Sequence, residues 1–253
     1  MDIDVQSFTV AHLRRRPEPV EAGGFVLGFD PATTSPYVNY ATPVPGATPT
    51  ADDVRALIAA FRERGLTPRL EFAPDAAPQA AAALDAAGFT AEAEHTYLVC
   101  TARTLVVPAH PTVEAPADDG DYLALDATLA EAFSGEFASS PEGAARLRRT
   151  EETGGAVRFV RADDGTVAGG ALCSAPAAGT AELAGVGTRP THRGRGIAGA
   201  VTAELARVLL HERGAASVWL EYGGHDSRRV YERVGFRPRG TRRYVRLDAP
   251  LDA

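Results

Sequence analysis

The run Thr188-Arg189-Pro190-Thr191-His192-Arg193-Gly194-Arg195-Gly196-Ile197-Ala198-Gly199 lies between a strand-like segment and a helix-like one. Glycines let the backbone approach a ligand closely and present its N–H groups, and the start of a helix adds partial positive charge. With Arg189, Arg193 and Arg195 alongside, the chemistry this run suits is capture of an anion, above all a pyrophosphate. The same letters contain Gly194-Arg195-Gly196-Ile197-Ala198-Gly199, which spells the dinucleotide pattern Gly-x-Gly-x-x-Gly, with Glu221 22 residues beyond Gly199 where a ribose-binding acid would stand. Two facts oppose that reading. Five residues including Pro190 separate Thr188 from the first glycine, and only 54 residues follow Gly199, too few for the further units of a doubly wound sheet.

Composition removes other chemistries. Lys and Arg total 26 and none of them is Lys. A P-loop needs its Lys on the terminal phosphates, a kinase its strand Lys and a pyridoxal-type enzyme a Lys amine, so all three are excluded. Cys100 and Cys173 sit far apart in apolar runs with no Cys-x-x-Cys, which points to two buried thiols rather than a disulfide or zinc ribbon. The six His are scattered without ligand spacing, so no metal site is expected. The first residues, Met1-Asp2-Ile3-Asp4, lack a basic and apolar leader pattern, and no apolar stretch is long enough to span a bilayer. A cytoplasmic protein with no membrane partner is the expectation.

The net charge of -7 is unevenly spread. Residues 109–188 hold 13 acids and 5 Arg, whereas residues 189–246 hold 13 Arg and 5 acids. The basic stretch suits an anionic ligand and the acidic one a cationic acceptor. Nucleic acid is not expected as a partner, because the whole chain is acidic and carries no RNA- or DNA-binding motif.

The elements that must position the loop follow from periodicity. Helices are expected at about residues 122–133 and 141–153, then strands at 156–161, 167–174 and 181–188, with Asp163-Asp164-Gly165 as a hairpin turn. A helix over 196–213, a strand over 217–222, a helix over 226–234 and a strand over 242–247 complete the order. The first half repeats this weakly. Ala51 to Arg64, Gly65 and Arg69-Leu70-Glu71-Phe72 parallel the helix, Gly214 and strand of the second half, and Leu84-Asp85-Ala86-Ala87-Gly88-Phe89 parallels Tyr231-Glu232-Arg233-Val234-Gly235-Phe236. From each Gly-Phe the next aligned Tyr, Tyr97 or Tyr244, is 8 residues on. Repeats this long mean duplicated domains. The Pro- and acid-rich stretch Pro108 to Asp119 resembles a connection, so the domains are placed at residues 1–108 and 109–253.

Arg193-Gly194-Arg195-Gly196-Ile197-Ala198, with Pro190 upstream and Tyr231-Glu232-Arg233-Val234-Gly235-Phe236 downstream, resembles the signature of the GNAT superfamily of acyl-CoA-dependent N-acyltransferases over about residues 109–247. The resemblance implies an α+β, three-layer fold: two GNAT-like domains, each a mixed, mostly antiparallel sheet flanked by helices. It implies acetyl-CoA as cosubstrate, with the amides of Arg193, Gly194, Arg195, Gly196, Ile197 and Ala198 on the pyrophosphate and the strand edge Val186, Gly187 and Thr188 against the pantetheine arm. Gly185 and Gly187 fit that edge independently, since glycine within a strand marks a bulge or a close backbone approach. In the family Tyr231 would be the general acid, and Glu182, 11 residues before Arg193, would be the base.

Where members often carry Asn seven residues before that Tyr, this chain has Gly224. The resemblance places the acceptor site near Phe133, Glu136 and Phe137. In the first half, Val44 and Leu84 stand where Arg193 and Tyr231 would be, so that half reads as a degenerate copy that does not bind coenzyme A. The layout is similar to that of tandem acetyltransferases of actinobacteria. The partner implied is a small-molecule amine, the chain being a monomer or a homodimer, and two readings stay open: an N-acetyltransferase, or an acyl-CoA-binding sensor without turnover.

Overall fold

In the computed structural model, residues 2–135 and 138–248 are described, and the chain divides into two compact units. The first holds the residues up to Tyr97 together with a C-terminal segment from Arg239; the second runs from Leu98 to Pro238.

In the first unit, helix α1 (Asp2–Leu13) precedes strands β1 (Glu18–Ala22), β2 (Phe25–Phe29) and β3 (Tyr40–Pro43), which pair antiparallel in sequence order. Helix α2 (Ala51–Arg62) then crosses to β4 (Arg69–Phe72), which joins β3 in parallel through Ala41 and Leu70. Helix α3 (Pro78–Ala86) leads to β5 (Thr90–Cys100). β2 is buried along its whole length because it is covered on both faces: Phe25, Leu27 and Phe29 join Leu57 and Phe61 of α2, while Val26 joins Val10 and Leu13 of α1. A run buried on both faces reads as continuously apolar, and Phe-Val-Leu-Gly-Phe does.

Beyond Ala41 and Leu70 the side chain of Gln6 fills the space between β3 and β4. Its amide donates to Thr42 Oγ1 at 2.7 Å and to the Pro43 carbonyl at 2.6 Å, and its oxygen accepts from Ala73 N–H at 2.8 Å. The α2 N-terminus is closed by a capping box: Thr50 Oγ1 accepts from Asp53 N–H, and the Asp53 carboxylate accepts from Thr50 N–H at 2.7 Å.

The second unit opens with α4 (Asp119–Ala132) and α5 (Pro141–Glu152), followed by β6 (Ala156–Arg161), β7 (Val167–Cys173) and β8 (Thr180–Thr188), again antiparallel in order. Helix α6 (Ile197–His211) crosses to β9 (Ser217–Glu221), parallel to β8, and α7 (His225–Arg233) leads to β10 (Arg237–Arg246). Eight buried residues of α6, Ile197, Val201, Leu205 and Leu209 among them, join the core on one face of the sheet. Tyr122, Leu125 and Leu129 of α4 with Leu147 of α5 cover the other. The architecture is α+β with mostly antiparallel strands between helical layers, as expected.

The two copies match element by element. Each runs three antiparallel strands, a long helix, a parallel strand, a nine-residue helix and a last strand, and a glycine at positive φ precedes Phe after each short helix (Gly88 at 85°, Gly235 at 103°). The compact units do not follow the boundary expected between residues 108 and 109. β10, which by chain order ends the second copy, pairs antiparallel with β4 from Arg243–Phe72 to Arg246–Arg69 and so completes the first unit. Leu98 and Cys100, at the end of the first copy, belong to the core of the second unit. β10 also starts five residues before the expected strand, ahead of its pairing with β4.

Candidate functional site

The parallel register of β8 with β9 runs through Thr180–Ser217, Ala181–Val218 and Glu182–Trp219 and ends there. Past that point Val186, Gly187 and Thr188 on β8 and Gly223 and Gly224 beyond β9 line a single cleft of about 1160 Å³. That is somewhat larger than an ordinary small-molecule pocket of roughly 300–1,000 Å³, as an extended ligand requires. Gly185 stands at φ 62°, and the register with β7 jumps from Leu172–Ala184 to Gly170–Gly187, so β8 bulges at Gly185. Gly187 is needed for a different reason: a Cβ there would lie 2.8 Å from Leu129 and 3.0 Å from Ala132 of α4. Gly185 thus marks a bulge and Gly187 a close approach of β8 to α4.

After β8 the chain makes one tight turn, Pro190–His192, and enters α6 through Gly194 at φ 77° and Gly196 at φ 80°. Gly196 is the N-cap, so no side chain closes the helix, and the first turn has no acid. Among the described residues no acceptor is recorded for the N–H groups of Gly194, Arg195, Gly196, Ile197 or Ala198. Four of these five residues line one cleft, and amides at a helix start with no side-chain cap can hold an anion.

The three arginines of the loop do not act alike. Arg193 lines the cleft, held by Nε on the Thr188 carbonyl at 3.4 Å and by Nη2 on the Ala132 carbonyl at 3.2 Å. Arg195 contributes its backbone to the loop, but its guanidinium bonds the Thr191 carbonyl at 3.3 Å and does not line the cleft. Arg189 turns to α4, donating to Thr128 Oγ1 at 3.3 Å and pairing with Glu131 at 3.5 Å. Of the three arginines expected beside the anion, Arg193 alone lines the cleft.

Tyr231 lines the cleft from α7 with only 7% of its surface exposed. Its hydroxyl has no hydrogen-bond partner among the described residues, and burial pushes the phenol up to about 12, so it keeps its proton at neutral pH. Val230 on the same helix and Val234 just past its end pack 3.7 Å from where a Cβ of Gly199 would sit, which fixes α7 against the start of α6. Glu182 is half-buried on β8 between Ala181 and Leu183, which face the α6 core. Its side chain therefore leaves on the α4 face, and it is not among the residues that line the cleft beside Tyr231. Its charge does reach Cys173, whose thiol is pushed up by burial first and by Glu182 second. Cys100 is likewise buried with its thiol raised by desolvation, so both cysteines are core residues.

Phe133 lines the cleft as expected; Glu136 and Phe137 lie outside the described residues. Gly224 also lines it and offers no side chain where the family often has Asn. Sequence reasoning missed Val106, Pro108, His110, His225, Val230 and Arg233, all of them in the cleft wall. Val230 could have been found from its place beside Tyr231 on an amphipathic helix, but the segment from Val106 to His110 carried no signal beyond its proline. Among the described residues no group of three or more metal-binding side chains is present, and no helix is long and apolar enough to cross a membrane.

Several of the acids of residues 109–188 are engaged with arginine. Glu114 and Asp121 pair with Arg161, Asp119 with Arg148, Glu131 with Arg189 and Glu151 with Arg158. Asp226 is the one acid among the described residues lining the cleft. The charge count that favours a cationic acceptor thus does not translate into an acidic cleft.

Residues 123–236 match the model of the acetyltransferase (GNAT) family. A GCN5-related N-acetyltransferase from Kribbella flavida has a similar structure, with TM-score 0.83 and 24% identity over 98% of this chain and 96% of that one. A GCN5-related N-acetyltransferase from Sphaerobacter thermophilus is similar at TM-score 0.60 and 18% identity, over 88% of this chain and 76% of that one. A tandem GNAT protein from the clavulanic acid biosynthesis pathway is similar at TM-score 0.63 and 17% identity, over 99% of this chain and 89% of that one. No curated protein matches the chain in sequence. The segment that matches the GNAT acetyltransferase family model, residues 123–236, lies wholly within the second unit.

Proposed function

We propose that the chain is an N-acetyltransferase that moves an acetyl group from acetyl-CoA to the amine of a small acceptor in a ternary complex. The observation that carries this is one cleft lined by Gly194, Gly196, Ile197 and Ala198 at a helix start with no side-chain cap, together with a protonated, buried phenol, Tyr231. Acetyl-CoA would supply the thioester. Gly194 to Ala198, with Arg193, would hold its pyrophosphate, and the edge of β8 from Val186 to Thr188 would pair with the pantetheine arm.

Amide formation makes a C–N bond and breaks a C–S bond, so the departing sulfur needs a proton and the amine must lose one. Tyr231 gives its phenolic proton to the thiolate and regains one from solvent; its raised pKa keeps that proton available. Glu182, on the α4 face of β8, would be the base that takes the amine proton. The first copy is proposed not to bind coenzyme A. Gln6 fills the β3–β4 gap, and Asp53 closes the start of α2.

Thiol release from acetyl-CoA is to be followed across polyamines, aminoglycosides, amino sugars and peptide amino termini. Turnover with at least one amine is expected. Coenzyme A binding by calorimetry without turnover on any of them would favour a sensor instead.

A further inference from the structure

We infer that the segment Val106–His110 is the nucleotide-reading wall of the cleft, a specificity element that holds the adenosine half of coenzyme A; this rests on the acyl-transfer reading above. By sequence the segment looks like a connection, yet it lies within the second unit, and Val106, Pro108 and His110 line the cleft. It is fixed at both ends. Val106 N–H bonds the Val234 carbonyl at the end of α7 at 3.1 Å, and Glu114 exchanges backbone hydrogen bonds of 2.8 and 3.0 Å with Phe159 of β6. Gly235 must be glycine for this docking, since a Cβ there would strike the Thr104 carbonyl. Pro111 comes within 3.7 Å of the Cβ position of Gly196, so the segment passes directly beside the phosphate loop.

What the segment offers is unsatisfied apolar surface next to an anion site. Val106 and Val107 are 56% and 46% exposed, an adjacent apolar pair on the protein surface. Val230 and Val234 line the same cleft, and its polar lining includes Arg193, Arg233, His110, His192 and His225, with Asp226 the one acid among the described residues. A flat, weakly polar base flanked by phosphates matches a wall of that kind, whereas the slender pantetheine arm is already accommodated by the β8 edge. The phosphate loop lies between the two, as the pyrophosphate lies between the two halves of the ligand.

The test compares two ligands that share the pyrophosphate-side phosphate and the arm but differ in the nucleotide: acetyl-CoA and acetylated 4′-phosphopantetheine. The wild-type chain is expected to bind acetyl-CoA at least about tenfold more tightly by calorimetry. In Val106→Asp/His110→Ala the acetyl-CoA Kd is expected to rise about tenfold, with the phosphopantetheine Kd changed less than twofold. Val106→Ala, which removes apolar contact without adding charge, should give a smaller loss in the same direction. Equal losses for both ligands would make the segment a structural brace only, and no loss for either would remove it from the site. A wild-type chain that binds neither ligand would overturn the acyl-transfer reading itself.

Discussion

The helices that follow the third strand of each copy, α2 and α6, begin in opposite ways. In α2 the N-cap is Thr50 and the third helical residue is Asp53, and their side chains satisfy each other's backbone N–H groups. Asp53 fits because Gly23 has no Cβ: one there would fall within 2.3 Å of the Asp53 side chain. In α6 the equivalent two positions are Gly196 and Gly199, and the amides between them stay open. A helix start attracts an anion in either case. The first copy supplies its own carboxylate, and the second leaves the place for a ligand.

The same contrast runs along the strands. Where β8 and β9 part, backbone edge lines a cleft; where β3 and β4 run beyond their single pair, Gln6 bridges Thr42, Pro43 and Ala73. Two copies of one architecture therefore differ mainly in what fills two openings, and a handful of side chains makes the difference.

The strongest way to break this comparison is to give α6 the acid that α2 has. Gly199→Asp places a carboxylate at the third helical position, where it competes for the free amides and repels a pyrophosphate. Two unit charges about 4 Å apart interact by about 4 kcal/mol at an effective dielectric constant near 20. The acetyl-CoA Kd is expected to rise at least about a hundredfold by calorimetry. Gly199→Ala separates size from charge: its Cβ meets Val230 and Val234 at an ordinary 3.7 Å, so Kd should move by no more than about threefold. Unchanged binding in the Asp variant would mean that α6 does not hold the anion.

Tyr231 is the next difference, since the first copy has Leu84 at that place. Tyr231→Phe should lower kcat about a hundredfold, the low end for loss of a general acid, with acetyl-CoA affinity nearly unchanged. With the phenol raised to about 12, the wild-type rate should show no loss from this group as pH climbs to 10. A kcat equal to wild type in the Phe variant would remove the assigned role.

A third test works on the filled gap. Gln6 is fully buried with three hydrogen bonds, so Gln6→Leu leaves the Ala73 N–H and the Pro43 carbonyl without that partner in a closed space. A loss of about 2 kcal/mol in denaturant unfolding is expected. A loss below about 0.5 kcal/mol would show that the bridge is incidental.

Much of this contrast was legible in the sequence where the cause is local. The glycines at 194 and 196, read as a loop between strand and helix, do stand at positive φ; β6 ends where Asp163-Asp164-Gly165 turns, and β8 ends at Thr188 as read. What depends on distant partners was not. The guanidiniums of Arg189 and Arg195 bond to α4 and to the loop's own carbonyl, which spacing does not encode. Helix α1, which delivers Gln6, has its apolar residues spread around its circumference and gave no stripe to read. Residues 106 to 110 looked like a linker because proline marks both, and β10 looked like part of the second unit because only its pairing with β4 assigns it to the first.

The smallest expected effect comes from reopening α2. Asp53→Ala removes one half of the capping box, so the amides at the start of α2 should lose hydrogen-exchange protection and the melting temperature should fall by a few degrees. The Asp53 carboxyl is held below its ordinary 3.8 by the Thr50 hydroxyl and amide. Its stabilising effect is thus present above that ordinary value and lost as pH falls through the lowered one, and the variant should lack this acid-side step. Coenzyme A stoichiometry should stay at one per chain, because Gln6 still fills the β3–β4 gap and Thr50, which a left-handed Gly196 replaces in the second copy, cannot open the turn. Appearance of a second equivalent would mean that the cap alone keeps the first copy closed.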